Sequence, residues 1–310
     1  MSVNSSSSLN VTLVPPPLPS SNSSISPLYV ECLKSMASNV IFTMYTITNV
    51  LLLPLYILIL YMGFQRWRRQ CSVPGGQSTS HSDFFTYHIV AVEIFGVFGS
   101  LIYTLGIYTN GVTMLTFGMC VSCIIFPGQT LFHCLTCVER YLAVVHPITY
   151  MHMRETVGVR IRNISIVCVW LLSFGWIGLT ILYLPGFPAI PFLCMLGISL
   201  IVIFFCCLSV LCVLTHSGPG EVGGTRERAD QSKHRAFHII CAILGVLLLR
   251  FFGLLVILVL PHFHGIRLED LCGLMDSGIY LTVPSSLVLP LLFLHKTGKL
   301  ACCRHSVESG

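Results

Sequence analysis

Charge is what this chain has least of. Only 9% of its 310 residues are Asp, Glu, Lys or Arg, against about 25% in a soluble domain. A soluble protein with 54% hydrophobic residues could not cover its surface with polar groups, so ordinary globular classes are excluded. The first thirty residues lack the short apolar core of a cleavable signal peptide. The fifteen cysteines lack the spacing of a disulfide scaffold or a zinc site, and most lie in apolar runs, where a thiol acts as a small hydrophobe. No nucleophile-base-orienter set is visible, so the chain reads as a non-enzyme with no cofactor and no metal. The basic residues never gather into one patch, which excludes nucleic acid as a partner.

Apolar runs are what is present. They span about 38–62, 85–109, 112–137, 164–185, 189–214, 236–260 and 272–294, each long enough to cross a bilayer as a helix. Lipid gives the backbone no hydrogen bonds, so such runs must be helical, and ten-residue barrel strands are excluded. The boundary between the second and third runs is only a turn near Thr109-Asn110-Gly111. The expected fold is an all-α membrane protein, a seven-transmembrane helix bundle over residues 37–296. A Ser- and Pro-rich tail (1–36) precedes it and a short tail (297–310) follows.

Seven crossings put the chain ends on opposite sides. Fourteen of the seventeen cationic residues fall in the odd loops and the C-terminal tail. By the positive-inside rule those segments face the cytoplasm. Sequons at Asn4, Asn10 and Asn22 independently put the N-terminal tail on the glycosylated, outer side. The expected location is the plasma membrane, with membrane lipid as surroundings.

One stretch breaks the apolar pattern at the end of the third run: Glu139-Arg140-Tyr141-Leu-Ala-Val-Val-His-Pro147-Ile-Thr-Tyr150. A snorkelling pair that anchors a helix end is the plain reading of Glu139 and Arg140. With its acid-Arg-Tyr triplet and a proline seven residues past the arginine, the stretch also resembles the third-helix signature of rhodopsin-like (class A) G protein-coupled receptors. Asn49 resembles that family's first-helix asparagine, and Trp170 its fourth-helix tryptophan. Leu289-Pro290-Leu-Leu-Phe293 is similar to the seventh-helix Asn-Pro-x-x-Tyr motif with two changes. A segment at 294–301 followed by Cys302-Cys303 resembles the short eighth helix and its palmitoylated cysteines.

The resemblance implies a receptor that passes an outside signal to a heterotrimeric G protein, with Glu139, Arg140, Tyr141, Pro147, Pro290 and Phe293 in activation. Glu139 would hold Arg140 at rest. The sixth helix, which reads Lys233-His234-Arg235 there, offers no acid to reinforce that lock, so basal signalling is expected.

Several positions depart from the family. Its sixth-helix Cys-Trp-x-Pro becomes Arg250-Phe251-Phe252-Gly253, with Phe251 as the switch residue and Gly253 as a bending point in place of proline. Its second-helix aspartate, part of a sodium site, becomes Glu93, with Gln129, Ser285 and Ser286 as expected neighbours; together with Asn49 they form a core polar site. Leu289 replaces the seventh-helix asparagine, so four readings of Glu93 stay open: sodium binding, a protonated carboxyl, pairing with Arg250, and a structural anchor. The usual disulfide is not expected, since the segment 184–191 has no cysteine. Cys32 and Cys272 are either bridged, as in chemokine-type relatives, or free.

By analogy the ligand pocket would draw on Ser122, Phe126, Arg250, Phe251, Asp276 and Ile279. The third helix has no acid to hold an amine, and the last run has no lysine for retinal. Arg250 needs a partner inside the membrane. Either Glu93 or Asp276 supplies it, or an anionic small molecule does; a lipid or peptide ligand is not excluded. Two other functions compete: a transporter whose path is lined by Glu93, Arg250 and Asp276, and a decoy that binds ligand without signalling.

Overall fold

A computed structural model describes residues 35–72, 81–152, 156–183, 188–215, 224–259, 273–274 and 277–296. Its helices are α1 (Met36–Ser72), α2 (His81–Thr109), α3 (Val112–Ser122), α4 (Ile125–Val145), α5 (Pro147–His152), α6 (Thr156–Tyr183), α7 (Ala189–Thr215) and α8 (Gly224–Val259). A 3₁₀ turn, Gly278–Leu281, leads into α9 (Thr282–Lys296). Six stretches are long and apolar enough to cross a membrane: Met36–Arg68, Phe84–Thr109, Val112–Val145, Gly158–Tyr183, Ala189–Thr215 and Lys233–Ile257. A shorter apolar segment, Gly278–Leu294, follows. The chain is thus an all-α membrane protein. Large apolar side chains such as Leu51, Leu171 and Ile201 point outward, while Glu93, Gln129 and Arg250 are buried. This inside-out distribution is what lipid requires.

α4 is the centre of the bundle. It packs against α2, α6, α7, α8 and α9. α1 lies on α2, and α9 bridges α1, α2 and α8.

The turn expected near Thr109-Asn110-Gly111 is present. Asn110 adopts φ 53°, and the Gly111 N–H donates to the Gly106 carbonyl at 3.1 Å, the left-handed stop that asparagine tolerates. α3 then runs back along α2 at very short range. A Cβ on Gly106 would lie 2.8 Å from the Leu115 backbone nitrogen, and one on Gly118 would lie 2.7 Å from the Tyr103 Cα.

The third crossing is interrupted, where the sequence suggests one unbroken helix over 112–137. Cys123 and Ile124 separate α3 from α4. Pro127 explains the break. It has no N–H to offer the Cys123 carbonyl four residues earlier, so Phe126 N donates there instead, at 3.3 Å. The crossing then runs on to Val145, five residues beyond Arg140.

Candidate functional site

α4 presents Gln129 and His133 four residues apart, hence on one face. Both are fully buried. The Gln129 amide links three other helices. Its Oε1 accepts from Arg250 Nη1 of α8 at 2.9 Å. Its Nε2 donates to the Glu93 carboxylate of α2 and to Ser286 Oγ of α9 at 2.8 Å. Next to it, His133 Nε2 meets Ser285 Oγ at 3.0 Å. Ser286 Oγ in turn donates to the Thr282 carbonyl at 3.1 Å.

Four helices therefore meet at one buried polar centre. A primary amide suits the junction, since it offers both acceptor and donors. Glu93 and Arg250 are not left as isolated charges, which would cost several kcal/mol each by the usual order of magnitude. The Arg250 guanidinium also lies over two rings, 5.2 Å from the Phe126 centroid and 5.0 Å from that of Phe192, a cation–π arrangement.

The expected core polar site is thus partly assembled. Glu93, Gln129 and Ser286 touch one another, and Ser285 joins through His133. Arg250 reaches the acid by way of Gln129. Asn49 instead donates to the Tyr45 carbonyl of its own helix at 3.0 Å. Among the described residues, no group of three His, Cys, Asp or Glu side chains is placed to hold a metal ion. Among the described residues, Glu93 is the one carboxylate of this centre.

Of the expected pocket residues, the structure brings Phe126 to Arg250. Ser122 packs instead on α2, where a Cβ on Gly99 would meet its Oγ at 2.7 Å. Phe251 packs near Gly197 of α7, and Ile279 is half-buried in the 3₁₀ turn. α8 is continuous past Gly253, and any Cβ there would collide with Leu281, so this glycine permits close packing.

At the other end of α4, Glu139 is buried and accepts a hydrogen bond from Tyr150 OH of α5 at 3.0 Å. Tyr141 OH meets His146 Nε2 at 3.1 Å, and Pro147 opens α5. Phe293 is buried between Tyr87, with ring centroids 5.7 Å apart, and Arg66, whose guanidinium is 5.2 Å from its ring. Pro290 lies within α9. Trp170 Nε1 donates to His88 Nδ1 at 3.1 Å, tying α6 to α2. Cys120 and Cys194 are both free thiols. Asn4, Asn10, Asn22, Cys32, Cys272, Asp276, Cys302 and Cys303 lie outside the described residues.

Sequence reasoning missed His133, Trp176 and Phe192, and it named Tyr150 only as the end of the third-helix stretch, without a partner. The first had a signal, its four-residue spacing from Gln129; the others had none that hydropathy could supply. No protein-family model matches the chain, and no curated protein matches it.

Proposed function

We propose that the chain is a cell-surface receptor that crosses the plasma membrane seven times and transmits to a heterotrimeric G protein. In this reading Gly278–Leu294 is the seventh crossing. Four 3₁₀ residues and thirteen α-helical ones reach about 27 Å, close to the hydrocarbon thickness of about 30 Å. The observation that carries the reading is the Glu139-Arg140-Tyr141 to Pro147 stretch, which ends the helix at the centre of the bundle. The polar centre supports it. An outward shift of α8 relative to α4 would change the Arg250–Gln129 contact, and through that amide the contacts of α2 and α9. One bond thus couples the helices that a two-state bundle has to rearrange.

Resting restraint comes from Glu139 and Tyr150 in this account, and Arg140 is the group presented to the G protein. The test is a G protein dissociation assay in cells, comparing the parent chain with Arg140→Ala at matched surface expression. Basal activity above mock that falls at least fivefold in the variant is the expected result. No basal activity from any G protein class, with normal surface levels, would turn the reading toward a decoy that binds without signalling.

A further inference from the structure

Among the described residues, two buried hydrogen-bond donors near the polar centre have no acceptor. Arg250 commits Nη1 to Gln129, while its Nη2 is buried and unpartnered. Trp176 Nε1 of α6 is buried and unpartnered as well. Both groups only donate, and both lie against the same ring. Phe192 of α7 is 5.0 Å from the Arg250 Cζ and 6.2 Å, centroid to centroid, from Trp176. Leaving such donors dry costs about 1–3 kcal/mol each, so the arrangement is complete only with an acceptor-rich group beside Phe192. The Glu93 carboxylate does not fill this role, because Nη2 has no hydrogen-bond partner among the described residues.

The surroundings say what shape would reach that point. Among the described residues, α6 and α7 make almost no close backbone approach, although both pack on α4. The seam between them is bridged by the rings of Trp176 and Phe192. Phe126 of α4 closes the inner side, its ring 5.4 Å from Phe192.

We infer that this seam binds a single-chain amphiphile with a carboxylate head, the head accepting from Arg250 Nη2 and Trp176 Nε1 and the chain lying between α6 and α7. This deepens the receptor reading by naming its ligand class, and it rests on that reading only for the consequence of binding, not for binding itself. A planar guanidinium with a free edge suits a carboxylate better than a neutral head group.

The test uses the full chain in nanodiscs, without G protein. Dodecanoate is compared with dodecan-1-ol and with acetate by thermal unfolding. Dodecanoate at about a hundredfold over its Kd should raise Tm by about 5 °C, with little change from the other two. Arg250→Met should abolish the shift. Because that variant also unlinks Gln129, Trp176→Phe provides a second arm. It keeps the ring, removes only the N–H, and should weaken dodecanoate about tenfold while leaving the chain monodisperse. Equal shifts from dodecanoate and dodecan-1-ol, a shift retained in Arg250→Met, or no shift at all would overturn the proposal. None of these outcomes depends on Arg140 or on signalling, so the binding and receptor readings can fail separately.

Discussion

α3 and α4 are consecutive parts of one membrane crossing, yet different physics holds each of them. α3 is fastened by shape: glycines on both strands of the α2–α3 pair let backbone meet backbone. α4 is fastened by polarity: Gln129 and His133 hydrogen-bond α2, α8 and α9. Both lie in one stretch long and apolar enough to cross a membrane. Apolar burial gives no net drive when lipid is as apolar as leucine, and close packing and polar contacts remain as the two adhesives. The Pro127 break separates the two regimes.

Four substitutions, with Gly245→Ala as control and Arg250→Met as cycle partner, probe these adhesives from largest effect to smallest. Gly118→Leu would drive a side chain into the Tyr103 backbone, which cannot yield as a flexible side chain would. No monodisperse protein should be recovered in size-exclusion chromatography. Gly245→Ala, at an exposed α8 site where a Cβ meets nothing within 4 Å, should behave as the parent, and equal loss from both would break the shape argument.

Gln129→Leu comes next. It strands Glu93 and Arg250 together, and breaking a buried charged network on one side costs about 3–5 kcal/mol. A Tm drop of about 10 °C is expected. A double-mutant cycle with Arg250→Met should show coupling of about 1–3 kcal/mol; strict additivity would mean the amide is not the junction. Trp170→Phe removes the bond to His88 but keeps an aromatic ring, and should lower stability by about 1 kcal/mol. Smallest of all, Thr46→Val loses the 2.9 Å contact between Thr46 and Thr104 hydroxyls of α1 and α2, at about 0.6 kcal/mol, the average for such bonds within membranes. A loss above that of Trp170→Phe would reverse the ranking.

Hydropathy made most of the helices legible, because a membrane-spanning run has one requirement and states it in twenty consecutive residues. The Asn110-Gly111 stop was legible for a similar local reason. The break at Cys123-Ile124 is equally local, but Pro127 sits inside an apolar run and hydropathy does not mark it. Of the polar centre, Glu93, Gln129 and Ser286 were grouped in advance only through a family resemblance. Their contact depends on how α2, α4 and α9 are rotated about their axes, and no single-helix pattern records that rotation. The same limit hid the Tyr150–Glu139 bond and the meeting of Trp176 with Phe192.

The wide sequence separation within the polar centre sets a schedule for the cell. Gln129 stands 121 residues ahead of Arg250 and 157 ahead of Ser286. At a synthesis rate of about 5–20 residues per second, the amide waits about 8–30 s for the last of them. Until then the nascent chain holds an acid and an amide in the bilayer with their final partners unborn. A quality-control factor that grips half-made polar helices would find its longest opportunity here, and truncated chains ending before α8 should be the ones it retains.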